Sequence, residues 1–294
     1  MVVSMDALTD IEARINARMT ELNQRLGSDG PQRSVSVTGR DFDATEAIRS
    51  VSGIASARGG GRRIGICVGL PKVNPAAYGG SEQPCPGCDL DATDFAKVLE
   101  AAGFETTLLL EQKATKQDVL SAMQSAANAL KEEDLLVMSV AGHGFRGNID
   151  GKMHETWCLW DGMLLDDDIV SAVKKFVSGV RIVMINDQCH SGGIFTESTR
   201  RLGGWLRGMF GRDVESPMLI QFAACRAEES SIGYPIGGTW MTALMKILAV
   251  KRDISWRAWF DEASSHPSLT KHQQPQWVEM GPVSNEFRNA NVLT

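Results

Sequence analysis

The 294-residue chain has no run of apolar residues long enough to cross a bilayer. Its opening residues, MVVSMDALTD, lack the basic segment followed by an apolar core that marks a secretory leader. The expectation is a cytoplasmic protein without a membrane partner. Positive charge is also short: the formal net charge is −6, and no basic stripe interleaved with aromatics appears. Nucleic acid is therefore set aside as a partner, because phosphate binding needs a concentrated basic face. The six cysteines have no regular spacing, which argues against a disulfide framework and predicts free thiols. No internal repeat is visible. What remains is an ordinary globular composition, 43% apolar, sufficient for one large domain and an appendage.

The appendage comes first. Leu8, Ile11, Ile15, Met19, Leu22 and Leu26 recur at steps of three and four, so residues 1–27 read as an amphipathic helix stopped by Gly27. Its stripe, within residues 5–26, suits packing on its own domain, self-association or recruitment of a partner. Residues 28–62 are polar and Gly-rich, a linker region with one short helix at DATEAIRSV. From residue 63 to 294, strand-like runs (RIGICVGL, ETTLLL, LLVMSVAGHG, VRIVMINDQCHSGG, PMLIQFAAC) alternate with helix-like ones (DATDFAKVLEAAGF, TKQDVLSAMQSAANALKEED, DDDIVSAVKKFV, TWMTALMKILAV). Alternation of this kind predicts a single α/β domain, a mostly parallel sheet with helices on both faces.

Ligands of such sheets bind beyond the carboxyl ends of the strands, so reactive side chains there carry the most weight. Two strands end in candidates: LLVMSVAGHG in His143 and VRIVMINDQCHSGG in Cys189. A cysteine becomes a nucleophile when a base relieves it of its proton, and imidazole is the usual base. If the two strands are neighbours, both residues face one crevice. The flanking glycines let backbone approach a substrate and leave amides free for an oxyanion hole. This layout points to acyl transfer, most simply peptide hydrolysis. His190 is the nearest rival base, but adjacent residues of an extended segment face opposite ways, which favours His143.

The pair AGHG and DQCHSGG, with the GCDLDA loop, FAACRAEESS and QQPQW, resembles the caspase-like cysteine peptidases, and the D-x-C-H-S-G form resembles their metacaspase branch and its bacterial relatives. The likeness runs through nearly all of residues 63–280. It implies a caspase-like fold, with His143 as base, Cys189 as nucleophile, and the amides of Gly144 and Cys189 as oxyanion hole. It further implies a specificity pocket lined by Asp187, Cys88 and Asp91, whose two carboxylates suit Arg or Lys before the cut bond of a protein or peptide substrate. Ala141 stands where the family usually has serine and so lacks a pocket hydroxyl. LLDDDI resembles a family calcium segment, making Asp166 and Asp167 candidate ligands for calcium, which would not itself be needed for the chemistry; an acidic first turn that complements a helix dipole is the alternative. No clear match exists for the remaining calcium aspartate, where the chain reads GIFTESTRR. The Arg-rich stretch after the nucleophile, with Arg200, Arg201, Arg207 and Arg212, is a candidate for self-cleavage within residues 193–216.

Two other functions fit parts of the sequence. CPGC at 85–88 could be a thiol-disulfide oxidoreductase motif, with Cys85 as attacking thiol, although this leaves over half the chain without a role. No second Cys or His pair at ligand spacing accompanies it, which weighs against zinc. Alternatively, a catalytically silent caspase-like scaffold could act through its N-terminal helix, but the dyad such scaffolds usually lose is intact.

Overall fold

The structure, a computed structural model, describes residues 61–149, 151–188, 216–225, 233–234, 237–251, 253–267, 269 and 273–292. The expected N-terminal helix, all of the linker but residues 61 and 62, Cys189, His190 and the arginines of the self-cleavage stretch lie outside the described residues.

Strands β1 (Arg63–Gly69), β2 (Glu105–Leu110), β3 (Leu135–Ala141), β7 (Arg181–Asp187), β8 (Met218–Ala223) and β11 (Gln276–Met280) form a six-stranded sheet in the order β11-β8-β7-β3-β1-β2. Every neighbouring pair is parallel except β8 with β11. The mostly parallel α/β fold expected from the sequence is thus what the chain adopts. Its strands read as near-continuous apolar runs because both faces are covered. Ile64, Ile66 and Val68 of β1, with Leu136, Met138 and Val140 of β3, face the layer made by helices α2 (Lys116–Ala129) and α3 (Asp166–Val173). The intervening Cys67, Val137, Val183 and Ile185 face α1 (Cys88–Ala101), α4 (Thr239–Val250) and α5 (Trp256–Ser264). Phe222 anchors this second layer, with Trp259 and Phe260 ring centroids 5.7 and 5.3 Å away.

The sequence reading missed a second sheet, β4 (His143–Ile149), β5 (Lys152–Leu159) and β6 (Gly162–Leu165), an antiparallel meander that leaves the main sheet after β3. HGFRGNI of β4 is only half-buried and has no two-residue apolar period, so it carries no strand signal. It also missed α5, β11, the short β9 (Gly233–Tyr234) and β10 (Gly237–Gly238) pair, and the terminal helix α6 (Asn285–Asn289), held to β11 by the Arg288–Glu279 ion pair at 2.7 Å. No helix among the described residues is long and apolar enough to cross a membrane.

One boundary matters for the site. The first helix was expected to start at Asp91, but α1 begins at Cys88, after Gly87 takes the left-handed conformation with φ 91° that a helix entry of this shape requires. Cys88 and Asp91 therefore occupy the first turn three residues apart, on one helical face, and both are buried.

Candidate active site

The order of strands reverses at β1 and β3: from β1 the chain steps outward to β2 and then returns across it to β3. Loops diverge above such a point and leave a crevice at the carboxyl ends. The loop after β1 brings Pro84, Cys85 and the start of α1 to this end, and the turn after β3 brings His143. β7 lies beside β3 with Ala141 in register with Asp187, so the two strands singled out from the sequence are indeed neighbours. Gly142 N donates to the Asp187 carbonyl at 3.4 Å, extending the contact beyond the strand ends. Cys189 follows two residues after Asp187, beyond the described part of that strand end.

His143 opens β4, half-exposed, and its Nε2 lies 3.2 Å from the carbonyl oxygen of Pro84. With Nε2–H donating to that carbonyl, Nδ1 is left as the basic nitrogen. The carbonyl fixes the ring, as the third member of a nucleophile–base–orienter set does. Sequence reasoning did not find Pro84, and no side-chain signal could have shown it, because the group used is a main-chain oxygen. Gln188 supplies a second tie: its buried side-chain amide donates to the His143 carbonyl at 3.1 Å. Gly144 is the second residue of β4, paired with Trp157.

The expected pocket residues gather beside this crevice. Asp91 and Asp187, 1% and 5% exposed, both reach the start of α4. Asp91 Oδ2 accepts the Gly238 N–H at 2.7 Å, and Asp187 Oδ2 accepts the Met241 N–H at 3.0 Å. A helix N-terminus offers unpaired amides and a favourable dipole for anions, so α4 is a natural partner for two carboxylates. Any side chain at position 238 would run into the Asp187 carboxylate, which makes Gly238 a required residue that sequence reasoning overlooked. The GGTW stretch ahead of an apolar helix was its only trace. Ala141, also buried, stands between Gly69 of β1 and Asp187 of β7.

Cysteine placement corrects one expectation. Cys85 and Cys88 are joined as a disulfide and are not free thiols. The cysteines outside the disulfide among the described residues, Cys67, Cys158 and Cys225, are all buried. Burial pushes the Cys67 thiol up to about 12, and Cys225 Sγ donates to the Gln188 carbonyl at 3.4 Å. Buried thiols of this kind make poor nucleophiles.

The candidate calcium segment starts α3. Asp166 is buried, and its Oδ1 faces His154 Nδ1 at 2.6 Å while also accepting the Asp167 N–H at 3.0 Å. Among the described residues the metal-ligand grouping here is His154, Asp166 and Asp167, with ligand atoms within 4.8 Å of one another. Calcium prefers six to eight oxygens, and an imidazole nitrogen with two carboxylates, one already engaged, does not fit it.

The caspase-domain family model matches residues 73–281. The chain belongs to the caspase-domain family. Metacaspases are among its curated relatives: it is 28% identical over 142 residues to metacaspase-4 of Arabidopsis thaliana, and 31% identical over 137 residues to metacaspase III c of Phaeodactylum tricornutum. These alignments cover 43% and 40% of this chain, and 34% and 41% of the relatives, so the likeness spans under half of their length. Among solved structures, a Geobacter sulfurreducens protein superposes with TM-score 0.67 at 24% identity, covering 79% of this chain and 98% of that one. Caspase-1 from Spodoptera frugiperda superposes with TM-score 0.50 at 13% identity over 75% of this chain and 85% of that one. Both show the same fold. The caspase domain with its metacaspase relatives places the chain in a cysteine-peptidase family.

Proposed function

We propose that this caspase domain is a cysteine endopeptidase that cuts protein substrates after Arg or Lys. The observation that carries the proposal is the meeting of His143 with the Pro84 carbonyl at a strand end adjoining the one that leads into Cys189. His143 Nδ1 takes the Cys189 proton, the thiolate attacks the scissile carbonyl, and the amides of Gly144 and Cys189 receive the developing oxyanion. Protonation of the leaving amine by the imidazolium releases the first product, and water hydrolyses the thioester. Asp91 and Asp187, buried and clustered beside Cys88 and Ala141, favour a cationic side chain before the cut bond by charge pairing.

Calcium enters as a modulator only. Among the described residues Asp166 and Asp167 offer it too few oxygens and Asp166 is already engaged by His154, so the chemistry does not depend on calcium held there. Self-cleavage among Arg200, Arg201, Arg207 and Arg212 follows from the same preference. It is read by comparing the fragments of wild type and Cys189→Ala on a gel; identical fragmentation excludes it. The peptidase itself is tested with fluorogenic peptides ending in Arg, Lys or Asp, with and without calcium. Turnover of the Arg and Lys peptides by wild type and none by Cys189→Ala is expected. Failure to cut any basic peptide removes the proposal, and cleavage after Asp overturns the pocket assignment.

A further inference from the structure

The proposed function leaves Cys85 without a part, yet its position touches the site twice. It directly follows Pro84, whose carbonyl orients His143, and its own N–H donates to the Pro71 carbonyl at 2.6 Å. Its sulfur is bonded to that of Cys88, the first residue of α1 and a neighbour of Asp91 by one helical turn. The turn is completed by Cys88 N–H donating to the Cys85 carbonyl at 3.3 Å. The disulfide therefore braces the segment that aims the imidazole against the helix that carries a pocket acid, closing the short backbone loop between them. Cys85 is partly exposed, with exposed Pro84 and Pro86 on either side, whereas Cys88 is buried. A reagent from solution meets Cys85 first.

We infer that Cys85 and Cys88 form a reversible oxidation site that controls the peptidase, with the disulfide form as the active one. The inference rests on the peptidase reading. The oxidant is a low-molecular-weight disulfide such as oxidised glutathione. The Cys85 thiolate attacks one of its sulfurs, forming a mixed disulfide and expelling one glutathione thiolate. The Cys88 thiolate then attacks Cys85 Sγ, forming the internal bond and expelling the second. Two protein thiols are oxidised, one glutathione disulfide is reduced, and the two protein protons pass to the released thiolates. In the reduced chain the Pro84 segment loses its disulfide brace to α1 and is held there only by the peptide backbone and its hydrogen bonds, so the imidazole is less narrowly aimed. Asp91 keeps its separate tie to Gly238, so substrate affinity is spared. The device thus acts on turnover and leaves binding in place.

The test equilibrates the full chain in glutathione buffers of graded ratio, removes the glutathione, and divides each sample. One portion is alkylated and the state of Cys85 and Cys88 read by peptide mass spectrometry. A second is assayed with an arginyl fluorogenic peptide, and in a third the rate of Cys189 alkylation by iodoacetamide is followed. Reduction of the pair is expected to lower kcat at least about fivefold with KM within about twofold, and to slow Cys189 alkylation by a similar factor. Cys85→Ser should stay at the reduced-form rate at every ratio, which separates the effect from oxidation of Cys189. Free thiols at both positions across all ratios overturn the inference. So does a pair that forms while kcat and Cys189 alkylation stay constant. If no basic peptide is cut in either state, the peptidase reading fails, and the Cys189 alkylation ratio still decides the switch.

Discussion

Asp187 and Asp166 are both buried aspartates at strand ends, but Asp187 accepts a backbone amide from another element whereas Asp166 faces an imidazole. Asp187, with Asp91, accepts amides from the start of α4, while Asp166 accepts from His154 and from the amide of its own helix. Backbone amides satisfy a carboxylate without adding net charge, and it is at this first site that a cationic substrate side chain is proposed. At the second site the partner is an imidazole N–H from β5, so that carboxylate is served from within the fold. The difference explains why acidic residues that look alike in the sequence are assigned a substrate in one place and a structural partner in the other.

Removing the internal partner should have the largest effect. His154→Leu leaves Asp166 buried beside an apolar side chain, and a loss of about 3–5 kcal/mol in urea unfolding is expected. A change under about 1 kcal/mol would mean that the imidazole does not compensate Asp166. At the other site, Asp187→Asn keeps an acceptor for the Met241 amide and removes the charge. A drop of about 100-fold in kcat/KM for arginyl peptides, about 2.7 kcal/mol, is expected with little change in unfolding. Asp91→Asn should act in the same direction. Equal losses for arginyl and neutral peptides would show that these carboxylates hold α4 in place without selecting substrate.

The contrast can also be erased. His154→Asp converts the second site into a cluster of three carboxylates, and calcium affinity measured by calorimetry should rise at least about tenfold. Unchanged affinity would place calcium elsewhere. The smallest effect concerns His266, whose pKa burial, aided by Lys246, lowers from 6.5 to about 4. Because the folded chain resists protonation at this ring, the contribution is whole above pH 6.5 and is lost as pH falls toward about 4. After allowance for its partial exposure this amounts to about 1–2 kcal/mol, and His266→Gln should flatten that part of the stability–pH curve.

The sheet was readable because its strands are buried on both faces and appear as continuous apolar runs; ETTLLL and TWMTALMKILAV match β2 and α4 to the residue. The β4–β6 meander was not, because its first strand is half-exposed and rich in glycine and polar residues. At the site, side chains with reactive chemistry stood out; the structure brings Asp91 and Asp187 together at the start of α4 and sets His143 just past the end of β3, which pairs with β7. What stayed hidden were groups whose role depends on tertiary approach: the Pro84 carbonyl, the bare backbone of Gly238, the Gln188 amide, and His154 paired with an acid on another element. The Cys85–Cys88 bond was hidden for a related reason, since the overall pattern of six cysteines argued for free thiols while only local geometry brings these two together.

The most direct measurement is covalent trapping. Wild type is incubated with an arginyl peptide bearing a thiol-reactive ketone, alongside the aspartyl analogue, and the adducts are mapped by mass spectrometry. The account predicts a single arginyl adduct on Cys189, abolished in His143→Ala and weakened in Asp187→Asn, with no adduct from the aspartyl probe. Labelling of Cys85 or Cys88 in place of Cys189, or equal labelling by both probes, would contradict it.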